Sequence, residues 1–126
     1  ILVAPLLEEG LEGRQVYLPE GGWFDYQTDT YYEGGKWHFI KAHDIPCIIL
    51  AANGSAIPHA DLSQTTKDIE WNQIKFYIYA KGRKEVKTRI CTNGTNDIHE
   101  LTFRIKGGKW MMIDNSLDIK YKVNIM

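Results

Sequence analysis

Apolar and polar side chains alternate along much of the second half of the chain. Three segments, residues 86–90, 101–106 and 117–125, place apolar side chains on one face and polar or charged side chains on the other. This period of two is typical of half-buried antiparallel strands, because successive side chains of a strand point to opposite faces. The second half is therefore predicted to form antiparallel sheets with one face on a core.

The first half follows a different pattern. Residues 1–7 and 47–50 are continuous apolar runs, which predict strands that are covered on both faces. Within residues 69–80 the apolar positions change from odd to even numbers. This shift predicts a bulge or a strand start near residues 72–73.

Turn signals separate these segments at short intervals. Glycine and asparagine adopt the positive φ angles of two-residue hairpin turns. Such pairs occur at Gly21-Gly22, Gly34-Gly35, Asn53-Gly54, Asn93-Gly94 and Gly107-Gly108. No window of about eleven residues has the apolar spacing of an amphipathic helix, and the polar residues 59–68 predict a loop or a junction between subdomains. Together these features predict an all-β fold, an antiparallel β-sandwich.

Composition bounds the classes of function. The chain has 126 residues, enough for one domain, or one domain with a small appendage. Fifteen basic and sixteen acidic residues give a net charge of −1, which argues against a broad surface for nucleic acid or anionic membranes. No apolar run approaches the roughly 20 residues that span a bilayer. Neither nucleic acid nor a membrane is therefore expected as a partner.

The start of the sequence predicts a piece of a larger protein. It opens directly on the apolar residues 1–7, without an initiating methionine or the features of a signal peptide. A surface that meets the rest of the parent would be exposed in such a piece. We expect exposed apolar side chains near residues 1–7 or 45–50, and with them a tendency to dimerise artificially.

Three tryptophans, Trp23, Trp37 and Trp110, follow Gly-Gly turns and are candidates for binding sugar. Exposed aromatic faces on β-sandwiches can stack on sugar rings through apolar and π contacts. Four tyrosines would extend such a surface: Tyr31, Tyr32, Tyr77 and Tyr79. The alternative is that these aromatic side chains fill the core or cover strand ends, since aromatic residues are enriched in strands.

Two groups of carboxylates are interpreted as loop or turn residues and not as catalytic groups. Glu8, Glu9 and Glu12 cluster beside glycines, whereas glycoside hydrolysis needs two carboxyl groups about 5 to 9 Å apart across a cleft. The cluster is therefore interpreted as a solvated loop. Asp25 and Asp29 are interpreted as turn residues.

Other candidate chemistry is sparse, and no catalytic, cofactor-binding or metal-binding residue is assigned. The four histidines are scattered and show no zinc-site spacing. Cys47 is interpreted as a small buried residue and Cys91 as a residue on the polar side of its strand, with a disulfide between them left open. Asn53 and Asn93 begin glycosylation sequons, but an Asn-Gly hairpin turn explains both.

Three ordered motifs carry a family resemblance. They are LVAP at residues 2–5, VYLPEGGWFD at 16–25 continued by YEGG at 32–35, and IP at 45–46 followed by GSAIP at 54–58. Together they resemble glycoside hydrolase family 31, the α-glucosidase and α-xylosidase family. The resemblance covers residues 1–58 and extends weakly to about residue 80.

The chain departs from the family pattern at several positions. Gln27 stands where an aromatic residue is common, Asp29 where glycine is usual, and Ala52 where an arginine is often found. Residues 76–82 are only a loose counterpart of a family strand, and the Tyr-Glu-Asp-Asp-Gly stretch that often follows is missing. Residues 81–126 are therefore assigned only as β-rich.

The resemblance implies a multi-domain parent whose (β/α)₈ barrel carries two catalytic aspartates of a retaining mechanism. Those aspartates would lie upstream of residues 2–5, so none is assigned here. Residues 1–80 would form the proximal C-terminal β-sandwich, and residues 81–126 would complete it or form a small distal β unit. The implied function is a non-catalytic accessory domain that packs on and stabilises the barrel of its parent chain, with no cofactor and a cytoplasmic location.

Two other functions remain alternatives. The first is a carbohydrate-binding module that binds an α-linked oligosaccharide through Trp23, Trp37 or Trp110. The second is a β-sandwich interaction domain that is unrelated to glycosidases.

Overall fold

The computed structural model describes residues 1–71, 73–91, 98–114 and 120–125. Strands dominate it, with one short 3-10 helix at Thr66–Asp68. The strands of the first half are β1 (Leu2–Pro5), β2 (Gly13–Leu18), β3 (Gly22–Asp25), β4 (Tyr31–Glu33), β5 (Lys36–Lys41) and β6 (Cys47–Ala52). Those that follow are β7 (Ser55–His59), β8 (Gln73–Tyr79), β9 (Glu85–Cys91), β10 (Ile98–Lys106), β11 (Lys109–Met112) and β12 (Lys120–Ile125). The predicted all-β class is confirmed.

The chain forms two compact units, Ile1–Asn53 and Gly54–Met126. The first unit contains a four-stranded antiparallel sheet in the order β1-β6-β3-β4 and a two-stranded antiparallel sheet of β2 and β5. Strands of both sheets contribute to one core, formed by Ala4, Val16, Leu18, Ile40, Ile48 and Leu50. Two sheets that share a core in this way form a sandwich.

The second unit also has two sheets, in the orders β12-β8-β7 and β11-β10-β9. Their shared core is formed by Ala56, Ile74, Phe76, Ile78, Val86, Ile90, Leu101, Phe103, Trp110 and Met112. All pairs are antiparallel except β8 with β12, which is parallel. The predicted antiparallel sandwich is confirmed apart from this one pair. The division into residues 1–80 and 81–126 stays a prediction.

The alternation of the second half predicts most of its burial, with the exception of Ile105, which is 39% exposed. Val86 and Ile90 of β9 are buried, as are Leu101 and Phe103 of β10. In β12, Tyr121 and Val123 pack against the same core. Residues 117–119 lie outside the described part.

The shift of apolar positions within residues 69–80 corresponds to a strand start. Strand β8 begins at Gln73, while residue 72 lies outside the described residues. The loop predicted for residues 59–68 is present only at residues 60–65, because His59 ends β7 and Thr66–Asp68 form the 3-10 helix.

The prediction that residues 1–7 form a strand covered on both faces is wrong. Strand β1 lies at the edge of its sheet and pairs with β6. Its successive side chains point to opposite faces, so Ala4 is buried in the core whereas Val3 is 57% exposed. In the inner strand β6, Ile48 and Leu50 are fully buried on one face, whereas Cys47 and Ile49 on the other face are only half-buried.

The hairpin between β10 and β11 has the predicted turn chemistry. Gly107 and Gly108 have φ angles of +58° and +78°, as a type I′ turn requires at both central residues. The Asn93-Gly94 pair lies outside the described residues. Within the described residues, no helix is long and apolar enough to cross a bilayer.

Candidate functional site

Trp23 is a half-buried residue of the first unit. It lies on β3 opposite Tyr32 of β4 and Ala52 of β6 and packs against the core of that unit. Its indole Nε1–H donates a hydrogen bond to the Pro19 carbonyl oxygen at 2.9 Å. The polar end of the ring is thereby fixed to the preceding turn, so Trp23 acts as a packing residue of the hairpin.

Trp37 has a very different environment on the two-stranded sheet. It lies directly opposite Tyr17, and the two ring centroids are 5.6 Å apart at an interplanar angle of 63°. Trp37 is 66% exposed, Tyr17 48% and Phe39 55%. These three side chains form an exposed aromatic surface, which we call the aromatic face.

Trp110 lies in the second unit, on β11. It is only 8% exposed and belongs to the core of that unit. The three candidate tryptophans therefore occupy three environments: a half-buried hairpin, an exposed sheet face and a core. Sugar binding by any of them stays a prediction, and Trp37 has the most accessible ring.

The four tyrosines predicted to extend a sugar-binding surface mostly pack against other side chains. Tyr79 is buried, and each of the other three has a close ring partner. These pairs are Tyr31 with Phe24 at 5.2 Å, Tyr32 with His38 at 5.2 Å, and Tyr77 with His59 at 4.2 Å. Within the first unit, Tyr31 and Tyr32 lie on β4, in a different sheet from the aromatic face.

Sequence reasoning missed Tyr17 and Phe39 as members of this surface. The signal was present, because Tyr17 alternates with the core residues Val16 and Leu18. Phe39 likewise precedes the buried Ile40. What the sequence lacks is the pairing of β2 with β5, which brings the two strands' outward residues together.

The carboxylates near the start of the chain lie in a solvated loop, as interpreted from the sequence. Glu8, Glu9 and Glu12 are all exposed. Glu12 lies 3.9 Å from the Lys41 ammonium group, a distance at which an exposed ion pair contributes little to stability.

Asp25 and Asp29 are turn residues, as interpreted from the sequence. The Asp25 carboxylate is buried and accepts hydrogen bonds from the backbone N–H groups of Gln27 and Thr28. Asp29 donates its backbone N–H to the Asp25 carbonyl and has a φ of +60°. This left-handed conformation is one that Asp tolerates and glycine favours, which explains how Asp29 stands where the family usually has glycine.

Gln27, which replaces a common aromatic residue, ties this turn to the segment before β6. Its side-chain amide donates to the Cys47 carbonyl at 3.2 Å and accepts from the Asp44 N–H at 3.1 Å. A polar bridge therefore stands at the position where the family commonly has an aromatic residue.

The remaining candidate groups are the possible metal ligands and the two cysteines. Across the part of the chain that the structure describes, no three His, Cys, Asp or Glu side chains are grouped to hold a metal ion. Cys47 is half-buried, Cys91 is exposed, and both are free thiols.

Three groups have pKa values that their surroundings shift. Burial, and then the charge of Lys75, lower the pKa of His59. The hydrogen bond from Lys75 to Asp61 at 2.6 Å raises the pKa of Lys75. Burial, together with the charge of Asp25, raises the pKa of Tyr32. Each shift follows from local packing and pairing.

The sequence matches a known family over its first half. Residues 1–58 match the glycosyl hydrolase family 31 C-terminal domain. Alpha-glucosidase 2 of Bacillus thermoamyloliquefaciens is 36% identical over 67 residues, which make up 53% of this chain and 8% of that protein. This chain therefore spans a small part of that relative's length.

Solved structures of the same family share the fold. A GH31 dextranase of Flavobacterium johnsoniae has a TM-score of 0.64 and is 25% identical, with 82% of this chain and 14% of that chain covered. A GH31 α-xylosidase of Xanthomonas citri has a TM-score of 0.66 at 16% identity, with 98% and 15% covered. At 16% identity, the similarity to the α-xylosidase shows a shared fold and nothing about function.

The family match and the expected motifs fall on the same residues. The matched range spans the first unit and nearly all of β7. It includes the LVAP strand β1 and the hairpin of β3 and β4 that contains Trp23 and Asp25. Over residues 1–58 the chain is therefore similar to the C-terminal domain of glycosyl hydrolase family 31.

Proposed function

We propose that this chain is a non-catalytic accessory domain of a family 31 α-glycosidase, which packs on and stabilises the catalytic barrel of its parent. The observation that carries the proposal is the match of residues 1–58 to a C-terminal domain of that family. The relatives it resembles are much longer, since the matched regions cover 8% of alpha-glucosidase 2 and 14% of the dextranase. The match argues against an unrelated interaction domain.

The carboxylates of the first unit support a non-catalytic role. A retaining glycosidase needs two carboxyl groups about 5 Å apart on either side of the bond to be cleaved. Asp25 is buried and bonded to its own turn, whereas Glu8, Glu9 and Glu12 are spread along a solvated loop. These side chains suit turn and surface roles.

Exposed aliphatic side chains of the first unit support docking on a larger body. Ile1, Val3, Leu7 and Ile45 are among the exposed large apolar side chains, near the segments where the sequence predicts them. A surface depression is lined in part by Leu6, Leu11, Ala42, Ile45 and Pro46. Covering such groups is favourable by about 25 cal/mol per Å² of apolar surface.

The first experiment is a hydrolysis assay of the pure chain. Aryl α-glucoside and aryl α-xyloside are incubated with it, and a complete family 31 α-glucosidase serves as the positive control. We expect no release of the aryl group by the chain. Turnover that copurifies with the chain and persists after repurification would contradict a non-catalytic role.

The second experiment tests docking. The barrel of the parent is expressed separately, and its binding to the chain is measured by calorimetry. Val3→Asp and Leu7→Asp should weaken binding at least tenfold, because each places a charge in an apolar contact. Glu9→Gln, on an exposed loop residue, is the control. Equal binding by all forms would refute docking through the aliphatic surface.

A further inference from the structure

We propose that the aromatic face of Tyr17, Trp37 and Phe39 binds an oligosaccharide of α-linked glucose by stacking. This activity goes beyond the accessory role, because packing on a barrel requires no sugar contact. The choice of α linkage rests on the proposed function, whereas the stacking itself rests on the geometry of the face.

The face is fixed on a paired sheet. Tyr17 and Trp37 are direct cross-strand partners, and Phe39 lies two residues beyond Trp37 on the same side of β5. The alternate residues Val16 and Ile40 are buried in the core of the first unit. Since the inward side chains hold both strands, binding requires little ordering of the backbone that presents the rings.

The chemistry around the rings suits a sugar. A pyranose ring has an apolar C–H side that contacts an aromatic surface and a rim of hydroxyl groups that need hydrogen bonds. Gln15 lies opposite Phe39, and Gln15 and Lys41 are exposed residues of the same face. The Gln15 amide offers donors and an acceptor, and the Lys41 ammonium group offers donors.

The composition of the face distinguishes it from the aliphatic surface of the same unit. Its exposed large apolar side chains are aromatic, with two-thirds of the Trp37 residue surface open. The surface near β1 is built instead from Ile1, Val3 and Leu7. Aliphatic side chains are suited to covering by another protein layer, whereas exposed rings beside amide and ammonium groups are suited to a hydroxylated ring.

The test is calorimetric titration of the whole 126-residue chain with maltoheptaose, with isomaltohexaose and with the β-linked cellohexaose. We expect saturable binding of at least one α-linked sugar. Trp37→Ala should weaken it about tenfold, Tyr17→Ala and Phe39→Ala severalfold, and Trp37→Phe less than Trp37→Ala. Leu62→Ala, an exposed apolar change in the loop before the 3-10 helix, should leave it unchanged. Circular dichroism verifies that each variant is folded.

Three results would overturn the proposal. The first is no saturable binding of any sugar up to about 10 mM, and the second is equal binding by the native chain and Trp37→Ala. The third is a dimer, seen by analytical ultracentrifugation, that Trp37→Ala dissociates, since a second copy would then cover the face. Equal binding of cellohexaose would overturn the α-linked assignment. None of these results bears on barrel docking, which the Val3 and Leu7 variants test separately.

Discussion

The carboxylate Oδ1 atom of Asp25 accepts a hydrogen bond from the backbone N–H of Gln27 at 2.8 Å. The same atom accepts from the Thr28 N–H at 3.1 Å, and the residue is only 2% exposed. A single buried side chain thus satisfies two backbone donors in the turn between β3 and β4. It explains why an aspartate ends the motif that carries the family resemblance.

Replacing this acceptor should destabilise the first unit. Asp25→Ala leaves two N–H groups without their acceptor, which should lower the free energy of unfolding by about 1–3 kcal/mol. Asp25→Asn keeps an oxygen acceptor and is the matched control, with a smaller loss. Urea unfolding followed by circular dichroism measures both, and equal losses would argue against the turn as the cause.

Two tryptophans should differ sharply in their effect on stability. Trp110→Ala opens a cavity in the core of the second unit and should cost about 3–5 kcal/mol. Trp37→Ala removes an exposed ring and should cost less than about 1 kcal/mol. The two variants are compared by their urea midpoints. Similar losses would contradict the assignment of one ring to the core and the other to the surface.

Gly34 should tolerate no side chain, for a steric reason. A Cβ atom there would overlap the Pro19 carbonyl oxygen and lie 2.8 Å from that of Gly21. Gly34→Ala should therefore cost about 2 kcal/mol through forced displacement of the backbone. Gly10→Ala measures backbone strain alone, because Gly10 has a φ of +82° and no neighbour within 4 Å of its Cβ position, and it should cost about 1–2 kcal/mol. A Gly34→Ala variant as stable as the native chain would refute the close approach.

His59 should titrate below the ordinary histidine pKa of 6.5, because burial and the Lys75 charge both disfavour its charged form. The unfolded chain then binds the proton more readily than the folded one. The contribution of His59 to stability is therefore present above pH 6.5 and is lost as the pH falls through the lowered pKa. NMR titration of the ring measures the shift directly.

A variant of Lys75 separates the effect of burial on the pKa of His59 from the effect of the Lys75 charge. Lys75→Met should raise the pKa of His59 while leaving it below 6.5, since burial is the larger cause. A native pKa at or above 6.5 would contradict the packing of His59 against Tyr77, whose rings are 4.2 Å apart. An unchanged pKa of His59 in Lys75→Met would show that the Lys75 charge does not contribute to the shift.

The alternation of apolar and polar residues predicts burial correctly where one face of a strand is exposed to solvent. It identifies Val86, Leu101 and Phe103 as core residues, because a period of two fixes which side chains share a face. It fails at Val3, where an unbroken apolar run predicts burial on both faces but β1 lies at a sheet edge. Position within a sheet depends on partners distant in sequence, which local pattern does not report.

The same limit applies to the candidate site. The sequence identifies Trp37 as a candidate for stacking, but the cross-strand pairing that adds Tyr17 emerges only with the β2–β5 register. The parallel pairing of β8 and β12 is likewise invisible in the alternation, since a strand has the same period in either direction. Turn chemistry at Gly107 and Gly108 is local and is predicted correctly.

The proposed role, an accessory domain of a larger α-glycosidase, requires a catalytic barrel encoded before this domain, so the decisive measurement is the reading frame upstream of the Ile1 codon. We expect an in-frame (β/α)₈ barrel with two aspartates placed as nucleophile and general acid/base. A start codon or a stop codon immediately before Ile1 would contradict it.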